Sequence, residues 1–134
     1  MGSRTLVTRE LRDTAELHAM RVSLRAALSS RADNRVLADV VVATQEAVAN
    51  SLRSSDAAAR PVNVYMHVDD EYVWVDVSDA GRGPAPARVE RIECPPLEST
   101  NGRGLFLMRA LMDVLEVSTY ATGSRVRMGK RLTA

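Results

Sequence analysis

One stretch in the C-terminal third of the chain reads Gly102-Arg103-Gly104-Leu105-Phe106-Leu107-Met108-Arg109-Ala110-Leu111-Met112-Asp113. Its apolar residues Leu105, Met108, Leu111 and Met112 recur at helical spacing, which predicts a helix beginning directly after the glycine pair. A flexible glycine pair ahead of a helix presents unpaired backbone N–H groups and the positive end of the helix dipole, a combination that suits phosphate oxygens. Taken alone, a loop that simply stops where a helix starts explains the stretch equally well.

The residues before this helix, from Ala80 to Asn101, contain closely spaced glycines and prolines and show no sustained periodicity. They predict a loop. Because structureless loops longer than about 12–15 residues inside a compact domain are usually lids or binding loops, this loop is the first indication of a functional site.

A second motif, Asp79-Ala80-Gly81-Arg82-Gly83, directly follows a predicted strand. Its carboxylate would project from the strand end, where it can accept a hydrogen bond from an exocyclic amine such as that of adenine. Gly81 and Gly83 let the backbone come close and leave space for a flat ring. A glycine-rich turn capped by an aspartate is the simpler explanation of this fragment alone.

A third motif lies in a predicted helix, where Glu46 and Asn50 are four residues apart and therefore share one face. Arg53 and Ser54 follow one turn later. The Asn50 amide oxygen is a suitable Mg²⁺ ligand, and Glu46 can act as a base. An ordinary solvated helix face is the alternative that this segment by itself favours.

The rest of the chain supplies a scaffold for these motifs. The patterning predicts a strand over Leu6–Leu11, a helix over Thr14–Leu28 and a second helix from Val36 to about Ser54, capped by Asp33 or Asn34. A hairpin over Val62–Val68 and Tyr72–Val77 follows, and a closing hairpin over Val114–Tyr120 and Ser124–Lys130 ends the domain. This order predicts an α/β sandwich of the α+β class, with about three helices covering one face of a mixed, mostly antiparallel sheet.

Composition excludes several classes of protein. The 134 residues fit one domain spanning 1–134, although Met1 to Ser3 are typical of a cloning remnant. With 18 basic and 17 acidic residues the net charge is +1, which argues against a nucleic-acid binder. No apolar run approaches the roughly 18 residues of a membrane span, and a cytoplasmic location is expected. Cys94, the single cysteine, cannot form an internal disulfide.

The order of the three motifs along the chain is more specific than any of the motifs alone. A helix with Glu46-Ala47-Val48-Ala49-Asn50, a strand ending in Asp79-Ala80-Gly81-Arg82-Gly83, a loop and then a Gly-x-Gly helix start resemble the ATP-binding fold of gyrase, heat-shock chaperone and histidine-kinase ATPases (the GHKL, or Bergerat, fold). Within that group the sequence is most similar to the anti-sigma-factor serine kinases of bacteria. Residues 123–132 look like the final strand of these proteins, so the resemblance covers nearly the whole chain.

The resemblance implies a role for each matching residue. Asn50 would bind the Mg²⁺ that bridges the ATP phosphates, and Glu46 would accept the proton of an attacking serine hydroxyl. Asp79 would read adenine, and Ser124 would take the place of a threonine often found near the base. The remaining residues implied to contact ATP are Arg53, Ser54, Gly81, Gly83, Thr100, Asn101, Gly102, Arg103, Gly104 and Leu105.

The resemblance also implies partners. Proteins of this group hold a sigma factor away from RNA polymerase, phosphorylate a serine of a small anti-anti-sigma protein and form homodimers.

The sequence departs from the family at two positions, and these departures leave alternatives open. Ser54 stands where a histidine is frequent, and Thr100 stands where some kinases carry an arginine. Arg53, Arg82 or Arg103 would then have to supply a missing phosphate contact. One alternative is an ATP-binding regulatory module with weak or no catalysis, whose affinity for a partner depends on bound nucleotide. Another is a kinase domain belonging to a larger multidomain regulator.

Overall fold

The computed structural model of the protein describes residues 2–81 and 103–133. Its elements are β1 (Arg4–Leu11), a 3₁₀ turn (Thr14–Glu16), α1 (Leu17–Leu28), α2 (Asn34–Ser54), β2 (Val62–Val68), β3 (Tyr72–Asp79), α3 (Arg103–Leu111), β4 (Val114–Tyr120) and β5 (Gly123–Arg131). All the predicted helices and strands are present. The predicted loop lies outside the described residues beyond Gly81, and so do Gly83, Thr100, Asn101 and Gly102.

Local capping explains where the first two helices begin. The Asp13 side chain accepts a hydrogen bond of 2.8 Å from the Ala15 amide, so the chain first forms a 3₁₀ turn and α1 starts at Leu17. The Asp33 side chain accepts a bond of 2.9 Å from the Val36 amide. Asp33 is therefore the N-cap, and α2 begins at Asn34, two residues earlier than the apolar pattern predicts.

The five strands form one sheet in the order β1-β2-β3-β5-β4, and the four pairings among these described strands are all antiparallel. The helices cover one face, which confirms the predicted α+β sandwich. Alternation in β2 and β3 places Val64, Met66, Val73 and Val75 against the helices, and all four are fully buried. α1 and α2 complete this core with buried residues that include Met20, Leu24, Leu28, Val40, Val41 and Val48.

The hairpin between β2 and β3 is closed by a side chain. Asp69 Oδ1 accepts hydrogen bonds from the amides of Tyr72 (2.7 Å) and Glu71 (2.8 Å), and Oδ2 accepts one of 3.1 Å from Trp74 Nε1. The bond from the Tyr72 amide is the largest of the effects that lower the pKa of Asp69. The turn is thus held by the ionised carboxylate.

The face of the sheet opposite the helices carries aromatic side chains. Tyr65, Tyr72, Trp74 and Tyr120 all lie on it, as the alternation with the buried valines requires. The Arg127 guanidinium lies 4.5 Å from the centre of the Trp74 ring. Within residues 2–81 and 103–133, no helix has both the length and the apolar character needed to cross a bilayer.

Gly129 provides the space that the Trp74 ring occupies on this face. The two residues pair across β3 and β5, and a Cβ on Gly129 would overlap the indole, lying 2.7 Å from Cε3 and 3.0 Å from Cη2. We expect Gly129→Ala to lower the free energy of unfolding by about 1–3 kcal/mol, because the ring must shift. Urea denaturation followed by circular dichroism measures this cost. In a Trp74→Ala background the same change should cost under about 0.5 kcal/mol, and equal costs in both backgrounds would contradict the interpretation.

Candidate functional site

The second half of α2 presents the polar residues of the third motif. Glu46 and Asn50 are half-buried, whereas Ala47, Val48 and Ser51 on the same stretch are buried. The buried residues fix the rotation of the helix, so the carboxylate and the amide project together from its flank, beside the buried side.

The first turn of α3 packs directly against these two side chains. Gly104 is buried, and a Cβ at this position would lie 2.9 Å from Asn50 Nδ2 and 3.3 Å from Glu46 Oε2. Any side chain here would displace one of them. The glycine therefore allows the backbone of the N-terminal turn, which carries the positive end of the helix dipole, to reach the carboxylate and the amide.

The strand-end motif is held from two sides. Asp79 Oδ1 accepts hydrogen bonds from the Gly81 amide (2.7 Å) and from Ser124 Oγ (3.1 Å). Both bonds use the same oxygen, and Oδ2 has no protein partner among the residues that the structure describes. A carboxylate oriented in this way can accept a hydrogen bond from an amino group of a ligand.

Gly81 brings this motif into contact with the C-terminal end of α2. A Cβ on Gly81 would overlap the carbonyl oxygen of Ser54 and lie 2.9 Å from Ser55 Cα. The close approach predicted for this glycine is therefore made to α2, four residues beyond Asn50, and it sets the distance between Asp79 and the helix.

The remaining predicted residues fall into two groups. Arg53 donates a hydrogen bond from Nη2 to Asn50 Oδ1, so a guanidinium group lies beside the amide oxygen. Ser54 contributes its backbone to the contact with Gly81. Arg103 and Leu105 lie in the first turn of α3, where Leu105 is 6% exposed. Since its side chain is in the core, only the backbone of Leu105 can face a ligand.

Gly123 is a supporting residue that the sequence reasoning missed. Its φ is +155°, and a Cβ would overlap the Asp79 carbonyl oxygen and lie 3.0 Å from Ala80 Cα. It allows β5 to approach the end of β3 so that Ser124 reaches Asp79. The position of Thr122-Gly123 between the two strands of the closing hairpin indicates a turn, but the cross-strand pairing of Asp79 with Ser124 becomes visible only in the register of the sheet.

These residues fit a magnesium nucleotide. An amide oxygen and a carboxylate oxygen are ligand types that Mg²⁺ accepts, and the helix N-terminus beside them suits phosphate groups. Because Gly104 has no side chain, the backbone at that helix end lies directly against Asn50. A separate carboxylate oxygen of Asp79 suits a base amine. The donor set thus matches the parts of ATP that the sequence motifs predict.

Comparison with known proteins identifies the family. The histidine kinase-like ATPase domain matches residues 11–130, and the chain belongs to this family. Domains of this family bind ATP, usually with Mg²⁺, and support ATP-dependent phosphotransfer in general. No curated protein sequence matches the chain significantly.

Solved structures agree on the fold. The chain is similar to the nucleotide-free catalytic domain of histidine kinase ThkA, with a TM-score of 0.60 and 12% identity over 96% of this chain and 99% of that domain. It is also similar to the mycobacterial sensor histidine kinase MprB, with a TM-score of 0.55 and 15% identity over 93% of this chain and 96% of that one. The resemblance to a GHKL ATP-binding domain predicted from the motifs is confirmed.

The contact at Gly104 generates a prediction in which stability and binding separate. Alanine is favoured over glycine inside a helix by about 1 kcal/mol, and this gain opposes the cost of crowding the Asn50 side chain. Gly104→Ala should therefore change the unfolding free energy little. The added methyl group nevertheless pushes on Asn50 and Glu46, and we expect affinity for Mg-ATP to fall roughly tenfold. Calorimetric titration and thermal denaturation on the same sample test both parts. Unchanged Mg-ATP affinity would contradict the assigned role of the contact.

Asp79 generates a second prediction. Asp79→Asn can keep both hydrogen bonds to Oδ1, but it places an amide donor where a base amine would donate. Adenine nucleotide affinity should fall by about 1.5–3 kcal/mol, with little effect on folding. The matched control is Asp76→Asn, because Asp76 lies three residues earlier on the opposite face and pairs with Arg125 at 2.7 Å. A titration in which both variants bind like the wild type would exclude Asp79 from the base pocket.

Proposed function

We propose that this protein is an ATP-dependent serine protein kinase that also acts as an anti-sigma factor. The observation that carries the kinase proposal is the position of the Glu46 carboxylate and the Asn50 amide against the first turn of α3, next to Gly104. This arrangement supports the proposal, because a carboxylate and an amide oxygen lie beside the N-terminus of a helix. The serine specificity rests on the resemblance of the motifs to anti-sigma-factor kinases.

In this proposal Glu46 is the residue that handles the proton. The serine hydroxyl oxygen of the protein substrate forms a bond to the γ-phosphorus, the bond from that phosphorus to the β,γ-bridging oxygen breaks, and ADP leaves. The hydroxyl proton passes to the Glu46 carboxylate. The main contribution of the protein is to position the reacting groups, because phosphoryl transfer requires little covalent chemistry from the enzyme.

Asn50 is the residue proposed to hold Mg²⁺, which when bound neutralises charge on the phosphates. Arg53 already donates to the Asn50 amide oxygen. One turn of α2 separates them, so the guanidinium can move from the amide oxygen to a phosphate without a change in the backbone. This flexibility supports Arg53 as the cation that replaces the arginine expected at Thr100.

The proposed partners follow from the same resemblance. They are a sigma factor, which the protein would hold away from RNA polymerase, and a small anti-anti-sigma protein that carries the phosphorylated serine. The proposal includes a homodimer and a cytoplasmic location, with no direct contact to nucleic acid or membrane.

Phosphate transfer tests the proposal. The protein is incubated with Mg-ATP and its cognate anti-anti-sigma protein, and phosphoserine is measured by mass spectrometry. Glu46→Gln should reduce the rate of transfer by roughly a hundredfold or more, because the base is lost, while ATP binding remains. Glu116→Gln, on the opposite face of the sheet, is the matched control and should transfer at the wild-type rate. Undiminished transfer by Glu46→Gln would remove Glu46 from the mechanism.

The Arg53 contact also favours a second candidate, an ATP-binding regulatory module without turnover. In that protein the guanidinium would stay on the Asn50 amide oxygen and weaken metal binding. Nucleotide would then tune the affinity for a partner without being consumed. Tight ATP binding by the wild type, together with no phosphoserine in the assay above, would select this candidate over the kinase.

A further inference from the structure

α3 is a short helix held at both ends by different parts of the protein. Its first turn contacts α2 at Glu46 and Asn50, and its last residue, Leu111, lies near the start of α2. Gly104 and Leu111 are separated by seven residues, and so are Asp39 and Glu46. Both intervals correspond to about two helical turns, or about 10 Å. The two helices therefore run antiparallel, with a contact at each end of this interval.

Lys130 forms the contact at the far end. It lies on β5 opposite the buried Val73, so its side chain points from the sheet toward the helices. Nζ donates a hydrogen bond to the Leu111 carbonyl oxygen and forms an ion pair of 3.1 Å with Asp39 Oδ2. The side chains of Lys130 and Asp39 are only 16% and 20% exposed. One ammonium group thus connects β5, the end of α3 and the first half of α2.

The chemistry of this contact suits the end of a helix. The last carbonyl groups of a helix lack internal partners and carry the negative end of its dipole, so a cation stabilises them. The backbone after α3 is also attached to β5, since the Asp113 amide donates to the Gly129 carbonyl at 2.9 Å and the Arg131 amide donates to Asp113 Oδ2 at 2.8 Å. The backbone bonds fix where α3 ends, and Lys130 ties that end to α2.

We propose that Lys130 is a positioning residue for nucleotide, which holds α3 so that its first turn stays against Glu46 and Asn50. Without the ammonium group, the Leu111 carbonyl oxygen loses its donor and the Asp39 carboxylate loses its counter-ion, so the link between the end of α3 and α2 is broken. The end of α3 then moves away from α2, and a helix of only nine residues transmits that movement to its first turn. The inference rests on the proposed ATP site. It adds to that site a positioning residue at the C-terminal end of α3, whereas the phosphates would bind at the N-terminal end.

The test compares a ligand that has phosphates with one that has none. Lys130→Met should lower the affinity for ATP roughly tenfold, because small displacements of binding groups are amplified in binding. Affinity for adenosine should stay within about twofold, since Asp79 and Ser124 are not moved. A purely structural role would lower the melting temperature without changing the ratio of the two affinities. Lys130→Arg keeps the charge and should retain that ratio.

Two further variants complete the design. Arg131→Met is the matched control, because the Arg131 guanidinium lies 5.5 Å from the Tyr72 ring centre on the opposite face of the sheet. It should leave ATP affinity unchanged. Asp39→Ala removes the ion pair and leaves the bond to Leu111, so it should lower ATP affinity less than Lys130→Met does. If Lys130→Met does not fold, Asp39→Ala with wild-type ATP affinity overturns the proposal.

Hydrogen exchange separates this inference from the proposed function. In protein without nucleotide, Lys130→Met should speed amide exchange in residues 107–109 at least fivefold, because these amides donate to the carbonyl groups of the first turn of α3, which loses its fixed position. If the wild type binds no ATP, the proposed function fails, and the exchange rates alone decide the role of Lys130. Unchanged exchange in folded Lys130→Met, or equal losses of ATP and adenosine affinity, would overturn the proposed role of Lys130.

Discussion

The arrangement of the site depends on backbone segments that approach the second half of α2 more closely than any side chain would permit. Gly104 brings the start of α3 against Glu46 and Asn50, and Gly81 brings the end of β3 against the Ser54 carbonyl. α2 is in turn held by its apolar side, which is fully buried at Val40 and Val48. A single helix therefore fixes the relative positions of the phosphate-binding and base-binding parts, which come from distant regions of the sequence.

Much of the scaffold follows from local physics that the sequence displays. Period-two alternation in β2 marks its buried face, and the apolar stripe of α2 marks its side toward the sheet. The helix starts are harder to predict, because the Asp33 side chain selects Asn34 as the first residue, whereas the apolar pattern begins at Val36. A hydrogen-bonded cap acts one turn before the first buried residue, so hydrophobic periodicity alone places the boundary too late.

The candidate site shows a different limit. Each motif is compatible with an ordinary structural explanation, and no local signal connects Asn50 with Gly104, which is 54 residues away along the chain. Their contact was predictable only because the order of the motifs resembles that of GHKL ATP-binding domains. The role of Gly81 illustrates the same point, since the sequence indicates that the backbone needs room there but does not identify the neighbour. In the fold, that neighbour is the last turn of α2.

The position of Trp74 has a practical consequence for spectroscopy. It is the only tryptophan in the chain, and its indole lies across the sheet from α2, between Gly129 and the Arg127 guanidinium. Its emission therefore monitors the face of the sheet opposite α1 and α2, and a ligand bound beside α2 would lie across the sheet from it. This intrinsic fluorophore can thus report on events at one surface of the domain independently of occupancy at the other.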